Sequence, residues 1–232
     1  CGLVHIVTAQ ENAEVIRIKL PEAIVTGWSE NVTAEQEADI TAAIHKAAAV
    51  VIGPGLGQEA GVERLLDLVL QEAKKLPELP VVIDADGLNL LAKKGLYSTL
   101  SRQYVLTPHL REMSRLSGKS VQAIADDMTS AVMGQQAGAT IVLKDARTLV
   151  SDGDWLYINL SGNSALSTGG SGAELSGMIG GLKAQGCTQR TAATLAVYMH
   201  GLTAEQYCES APPHCMLARD ILEMIPKIGG NS

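Results

Sequence analysis

The sequence predicts an α/β domain built on a mostly parallel sheet with helices on both faces. Short apolar, β-branched segments alternate with longer segments of helical period. The short segments are apolar almost throughout, as in strands buried on both faces. No linker rich in proline, glycine or serine divides the chain. We therefore expect a single domain over residues 1–232.

Each predicted element rests on its local pattern of apolar residues. Strands are predicted at residues 3–8, 15–19, 49–52, 80–83, 104–106 and 140–143. Residues 148–151 and 155–159 flank Asp152-Gly153, a pair typical of a β-hairpin. Helices are predicted at residues 35–46, 62–75, 121–136, 174–185, 190–207 and 218–224, with a further helix beginning at 88–93.

Composition excludes several classes of function. The formal charge of −7 argues against broad binding to nucleic acids or anionic membranes, which requires a basic surface. No apolar run reaches the length of about 20 residues that a membrane span needs. The four cysteines show no Cys-x-x-Cys spacing, which favours reduced thiols in a cytoplasmic protein. The first residue is Cys1 and no targeting signal precedes it, so we expect a piece of a longer gene product.

Four turns that follow predicted strands carry the chemically distinctive residues, at positions 53–57, 84–89, 107–109 and 144–148. Ligands of open α/β sheets bind at the carboxyl ends of the strands. The coincidence of the four turns therefore indicates a ligand site at that edge. Each turn also has a plainer interpretation, because a glycine turn can simply join a strand to a helix and a lysine is usually solvated.

A fifth segment, residues 169–172, reads Gly-Gly-Ser-Gly and precedes a predicted helix. Glycines allow the backbone amides to approach an anion, and the helix adds the positive end of its dipole. The spacing is not that of a P-loop. The alternative is a flexible connector. A phosphate bound here could also receive the charge of Lys144 and the hydroxyl of Thr148.

Several polar residues have a structural interpretation beside the functional one. Asp84 and Asp86 could hold Mg²⁺ near phosphates, or form a turn and cap a helix. His109 is as consistent with a ligand contact as with a surface position, and Glu112 is placed to cap the next helix. His200 lies within or near the end of a predicted helix, where a structural role is favoured.

Five motifs, taken in order, resemble the NAD(P)H-hydrate dehydratase family, which has a ribokinase-like fold related to the carbohydrate kinases. They are Val-Ile-Gly-Pro-Gly-Leu-Gly (51–57), Val-Ile-Asp-Ala-Asp-Gly-Leu-Asn-Leu-Leu (82–91), Leu-Thr-Pro-His-Leu-Arg-Glu-Met-Ser-Arg-Leu (106–116), Val-Leu-Lys-Asp-Ala-Arg-Thr (142–148), and Gly162-Asn163 followed by Thr-Gly-Gly-Ser-Gly (168–172). The likeness covers essentially the whole chain.

The resemblance implies repair of hydrated NADH and NADPH by dehydration, driven by hydrolysis of ADP or ATP with Mg²⁺. It implies a homo-oligomer and permits a partner or fused epimerase domain. The residues implied to bind the nucleotide are Lys144, Asp145, Ala146, Arg147, Thr148, Asn163 and Gly172. Those implied to contact the hydrated cofactor are Gly55, Gly57, His109 and Ala173. No residue is assigned as a metal ligand.

This chain departs from the family pattern in three respects. Ala173 replaces the aspartate that performs acid–base chemistry on the substrate, a contribution of about 10²- to 10⁴-fold. Asp145 stands where glycine is usual, and Leu110 and Arg111 replace small residues or proline after the histidine. Cys1-Gly-Leu-Val4 resembles the family's second strand, so we expect the family's first strand and helix to be absent.

Three functions remain open at this point. The first is a dehydratase weakened by Ala173. The second is a catalytically silent homologue that binds a nucleotide or dinucleotide. The third is a small-molecule kinase of the same fold, acting on a hydroxymethylpyrimidine or a sugar. The kinase needs the same aspartate, and the Thr-Pro-His and Pro-Gly-Leu-Gly strings favour the dehydratase.

Overall fold

The structure, a computed structural model, describes residues 2–29, 33–57, 60–134 and 138–228. The strands in these ranges are β1 (His5–Ala9), β2 (Ile24–Trp28), β3 (Val50–Ile52), β4 (Val81–Ile83), β5 (Tyr104–Leu106), β6 (Thr140–Leu143), β7 (Leu149–Ser151) and β8 (Leu156–Ile158). The helices are α1 (Ala13–Lys19), α2 (Ala34–Lys46), α3 (Ala60–Lys75), α4 (Ala85–Lys93), α5 (Leu110–Ser117), α6 (Val121–Asp126), α7 (Met128–Met133), α8 (Ser171–Ala184), α9 (Gln189–Cys208) and α10 (Ala218–Met224).

The central sheet has the order β3-β4-β5-β6-β7-β8. Strands β3 to β6 are parallel, whereas β7 and β8 continue the sheet as an antiparallel hairpin. Strands β1 and β2 form a separate parallel pair. The mostly parallel sheet and the hairpin around Asp152-Gly153 are thus confirmed.

Alternate residues of the central strands face two different helical layers, as the period of two requires. Val82, Val105 and Val142 pack in one buried cluster with residues of α8 and α9. Ile83 and Leu106 lie in the other cluster, which includes residues of α2, α3 and α4. The helices therefore cover both faces of the sheet, and the carboxyl ends of β3 to β6 meet at one edge.

The strand predicted at residues 15–19 is wrong, because this segment belongs to helix α1. Its branched residues suggested a strand, yet Val15 and Ile18 are exposed. Strands β1 and β2 pair in parallel, so the chain between them must cross over, and a helix makes that connection. Strand β2, which carries three β-branched residues, was not predicted.

The helix predicted at residues 121–136 is interrupted. It divides into α6 and α7 at Asp127, whose φ of −144° is not helical and whose carboxylate caps α7 by accepting from the Ser130 amide. Residues 135–136 of the prediction lie outside the described residues. The remaining predicted elements are confirmed within three residues at their ends.

None of the helices in the described ranges is both long and apolar enough to cross a membrane.

Candidate functional site

A buried ion pair links the ends of two central strands at the ligand edge of the sheet. Asp84 follows β4 and is only 2% exposed, and Lys144 follows β6. The Lys144 Nζ donates to Asp84 Oδ1 over 2.7 Å. A buried carboxylate needs such a partner, because an unpaired charge in the interior is strongly destabilising. Asp84 therefore fixes the lysine ammonium at this edge.

Two buried hydroxyls complete the environment of Asp84. Ser176, on α8, donates from its Oγ to Asp84 Oδ2 over 2.7 Å. Thr107, which follows β5, places its Oγ1 3.3 Å from the Ser176 Oγ. Both side chains are fully buried. The ends of β4, β5 and β6 and the first turns of α8 are thus joined by one polar network, as fully paired buried groups require.

The glycine segment lies against the lysine ammonium. A Cβ atom at Gly172 would lie 3.1 Å from Lys144 Nζ, so a larger residue there would press on the amine. Gly170 precedes α8 with a φ of +100°, a conformation that other residues rarely adopt. The N-terminal end of α8 and the Lys144 amine thus lie together at this edge, an arrangement suited to an anion such as phosphate.

The glycine turn after β3 packs directly on the turn after β4. Gly53 has a φ of +125°, and a Cβ there would lie 1.8 Å from the Asp84 carbonyl oxygen. Asp86 Oδ2 accepts a hydrogen bond of 3.0 Å from the Gly57 amide. Ala85, between the two aspartates, has a φ of +46°, alone among the non-glycine residues of the described ranges. Such strain is characteristic of functional turns.

The two remaining glycines of this turn have open space around them. Gly55 and Gly57 have positive φ, and no heavy atom lies within 4 Å of a Cβ built at either position. Space is therefore open beside both glycines, although the Gly57 amide is bonded to Asp86. Their contact with the hydrated cofactor stays a prediction.

His109 caps helix α5 and also lies beside Lys144. Its Nδ1 accepts hydrogen bonds from the amides of Arg111 and Glu112, and Glu112 Oε2 accepts from the His109 amide. The predicted capping role of Glu112 is confirmed. Because Nδ1 is an acceptor, the ring proton lies on Nε2. The side chain is 49% exposed, and its backbone bridges to Lys144, so it remains available to a ligand at this edge.

The loop after Lys144 is open to solvent. Asp145, Ala146 and Arg147 are exposed, and Thr148 is half-buried. An Arg147 guanidinium nitrogen donates to the Leu160 carbonyl over 3.4 Å. The loop follows Lys144 in the chain, and the nucleotide-binding role of its residues stays a prediction.

Asn163 is committed to the fold. Its Oδ1 accepts from the Ala165 amide, and its Nδ2 donates to the Ala204 carbonyl. These bonds use both polar atoms of its side chain, so its nucleotide-binding role stays a prediction.

Position 173 lies in the first turn of α8 and is exposed. Glu174, the neighbouring carboxylate, is rotated by about 100° per residue along the helix and faces away from Gly172 and Ser176. Burial raises the pKa of Glu174, and its Oε2 is buried without a hydrogen-bond partner in the described structure. Glu174 therefore does not restore a carboxylate at the position of Ala173.

Sequence reasoning assigned no individual role to Ser176 or to Thr107, which lies in the predicted turn at 107–109, and it assigned His200 a structural role. Ser176 and Thr107 join the network around Asp84. A serine in an otherwise apolar helix face is a sequence signal that could have indicated the role of Ser176. His200 lies in the interior of α9 rather than at its end, is 7% exposed, and interacts with the Ser171 backbone.

The described residues do not form a resident metal site. Asp84 is paired with Lys144 and Ser176, and Asp86 holds the Gly57 amide. No group of three His, Cys, Asp or Glu side chains within the described ranges is arranged to bind a metal. Mg²⁺ commonly binds through substrate phosphates and few carboxylates, so any Mg²⁺ would arrive with a nucleotide.

The mostly parallel sheet, its glycine turns and the position of Lys144 beside the start of α8 define a ribokinase-like α/β protein. A family model described as NAD(P)H-hydrate dehydratase matches residues 1–227. The chain belongs to the NAD(P)H-hydrate dehydratase family.

Two curated relatives and one solved structure illustrate the similarity. The chain is 40% identical over 199 residues to an ADP-dependent (S)-NAD(P)H-hydrate dehydratase of Neisseria meningitidis, covering 83% of this chain and 65% of that protein. It is 34% identical to a bifunctional NAD(P)H-hydrate repair enzyme of Coxiella burnetii, covering 95% of this chain and 43% of that protein. The chain thus spans less than two thirds of the length of these relatives.

The structure is also similar to that of a Bacillus subtilis ADP/ATP-dependent NAD(P)H-hydrate dehydratase co-crystallized with ATP and Mg²⁺. The TM-score is 0.77 at 27% identity, with coverage of 98% of this chain and 78% of that chain.

Proposed function

We propose that this protein binds ADP or ATP at the Lys144–Gly172 edge and dehydrates hydrated NADH and NADPH, at a rate reduced by Ala173. The observation that carries the proposal is the position of the Lys144 ammonium beside Gly172, where an added Cβ would lie 3.1 Å from Nζ. It places a fixed ammonium group at the N-terminal end of α8, a combination that favours a phosphate. The names of the relatives supply the chemistry of the substrate.

The positions of the remaining residues support two adjoining subsites. We assign the nucleotide to the exposed loop of residues 144–148 together with Gly172. We assign the hydrated cofactor to the opposite side, at Gly55, Gly57, His109 and Ala173. Asp84 joins the two subsites, because its side chain holds Lys144 while its carbonyl packs on the turn after β3. Mg²⁺ would accompany the nucleotide phosphates.

Restoring the carboxylate at position 173 tests the reaction. The variant Ala173→Asp should dehydrate NAD(P)H hydrate about 10²- to 10⁴-fold faster than the parent, because it regains general acid–base catalysis. The measurement is the change in absorbance as the reduced cofactor is regenerated, with ADP and separately with ATP. Ala173→Asn is the matched control, since it has similar size and polarity but cannot accept the proton as a carboxylate does.

A silent binding homologue is the second candidate, and the exposed methyl group at position 173 favours it. This candidate predicts that the parent binds ADP or ATP in calorimetry with no turnover, while Ala173→Asp gains activity. Equal turnover by the parent and Ala173→Asp would refute the assignment of position 173. Absence of nucleotide binding by either protein would refute the proposed function itself.

We extend the proposal to the protein's wider organisation. Residues 1–232 act as one ribokinase-like domain located in the cytoplasm, and the active form is a homo-oligomer. The bifunctional relative supports a further proposal, that an epimerase domain acts with this one as a fused or separate partner.

A further inference from the structure

A buried imidazole lies behind the glycine segment and has no role in the function proposed above. His200 projects from the interior of α9 and is 7% exposed. Its Nε2 is buried and, within the described structure, no protein atom completes a hydrogen bond to it. Leaving a buried polar atom unpaired costs about 1–3 kcal/mol, whereas a leucine or methionine would fill the same space without that loss. The histidine therefore calls for an explanation beyond packing.

The surroundings of His200 connect it to the anion-binding edge. The ring interacts with the backbone of Ser171, the first residue of α8, and lies close enough to Lys144 to be affected by its charge. Burial is the main influence and lowers the pKa of His200 to about 4, with the Lys144 charge acting in the same direction and the Ser171 backbone opposing both. The ring is therefore neutral at neutral pH and places no second positive charge beside Lys144.

The same turn of α9 supports a second loop of the site. A Cβ at Gly201 would lie 2.1 Å from the Ser161 Oγ, and the Ser161 Oγ donates to the Tyr198 carbonyl over 2.9 Å. This turn thus contacts the loop before Asn163 through Tyr198 and Gly201, and the start of α8 through His200. It forms a platform beneath the glycine-rich connection.

We infer that His200 is a positioning residue for the anion site: through Ser171 it holds the amides that begin α8 in place for a nucleotide phosphate. This inference rests on the proposed function for the identity of the anion. An anion that binds beside Lys144 and the start of α8 pulls on the same backbone, and this changes the environment of the ring and of its unpaired Nε2. A ring that only filled space would not respond to the ligand.

The first test uses the wild-type chain labelled with ¹⁵N-histidine. Long-range ¹H–¹⁵N spectra are recorded without ligand, with ADP and with inorganic phosphate, and the His200 signals are assigned from their loss in His200→Gln. We expect ADP to shift the His200 Nε2 resonance and to leave that of the exposed His214 unchanged. Saturating ADP that leaves the His200 resonance in place would overturn the inference.

The second test measures amide hydrogen exchange in residues 168–174 without nucleotide. We expect His200→Leu to exchange about tenfold faster than the wild type in this segment and to bind ADP about tenfold more weakly. His200→Gln or His200→Asn should restore at least part of both, whereas His214→Gln should change neither. If His200→Leu does not fold, the two amide variants decide the outcome. If neither of them has the exchange rate and the ADP affinity of the wild type, rescue by a conservative side chain has failed and the positioning role is refuted.

The outcomes separate the two proposals. Loss of loop protection in His200→Leu together with no binding of ADP or ATP to the wild type would refute the proposed function and leave the positioning role standing. Normal nucleotide binding and normal loop protection in His200→Leu would refute the positioning role and leave the proposed function standing.

Discussion

Two buried carboxylates in this protein have similar partners and different consequences. Asp84 is 2% exposed and pairs with Lys144 at the ends of the central strands. Glu72 is 5% exposed and binds His45 over 2.7 Å and Lys75 over 2.6 Å between α2 and α3. Both carboxylates have their oxygens satisfied. They differ in the solvent exposure of the cations that bind them and in the groups that lie beside those cations.

The difference lies in the exposure of the cations and in the elements that carry them. The side chains of His45 and Lys75 are 45% and 62% exposed, so water already solvates them and the cluster only joins neighbouring helices. The Lys144 side chain is 21% exposed and ends at the glycine-rich start of α8. A buried ion pair is therefore informative about function mainly when its cation is held at a strand end beside open backbone amides.

The largest expected difference between the two carboxylates is in the loss of folding stability when each is replaced by its amide. Asp84→Asn leaves the Lys144 ammonium largely buried without its counterion, which should lower the free energy of unfolding by about 3–5 kcal/mol. Glu72→Gln should lower the free energy of unfolding by less, because water can solvate the exposed side chains of His45 and Lys75. Urea denaturation of both variants measures the difference. A loss in Glu72→Gln as large as that in Asp84→Asn would show that the two clusters are equivalent.

The two regions should also respond to pH in different ranges. The folded-state pKa of His200 is about 4, below its ordinary value of 6.5. The unfolded chain therefore binds the proton first, and stability is lost as pH falls from 6.5 to about 4, by about 3 kcal/mol at full extent. Hydrogen bonding by Lys75, and then by His45, holds the pKa of Glu72 below its usual value, so its stabilising effect is lost only in more acid solution.

Denaturation of His200→Leu across pH 4 to 7 checks this difference. The variant should have a flatter stability profile than wild type between pH 6.5 and 4, whereas His214→Gln should keep the wild-type slope. A wild-type slope in His200→Leu would show that His200 is not buried as a neutral group.

The smallest expected effect tests whether the glycine beside Lys144 is needed for ADP binding. A methyl group in Gly172→Ala would lie 3.1 Å from the Lys144 Nζ and should weaken ADP binding about tenfold by displacing the amine. Gly177→Ala on the same helix is the matched control, because no atom lies within 4 Å of its added Cβ. Calorimetry should find wild-type affinity in Gly177→Ala. Equal affinities in both variants would contradict the placement of the phosphate.

The sequence predicted the parts of the site that lie directly after strands. Lys144 and Asp84 follow apolar β-branched segments whose burial is evident from composition, and parallel strands bring their ends together. Gly172 was predicted from the glycines that precede a helix. The same local reasoning located most of the elements, and it was wrong at residues 15–19 because the pairing of β1 with β2 decides that segment.

The remaining parts depend on contacts that no local pattern encodes. Ser176 matters because α8 returns to the end of β4, and Thr107 matters because Ser176 lies beside it. His200 was given a structural role from its helix alone, since its approach to Ser171 depends on how α9 packs on α8. Residues that support a site from behind are thus the ones that sequence reasoning misses.

The order of the central strands has a consequence for how the molecule assembles. Strands β3 to β6 are neighbours both in the chain and in the sheet, so a chain emerging from the ribosome can add them one after another through helical crossovers. The Asp84 carboxylate, in contrast, gains its bond to Ser176 only from a residue 92 positions further along the chain. The sheet can form early, but the polar network around Asp84 is complete only once α8 has been synthesised and docked.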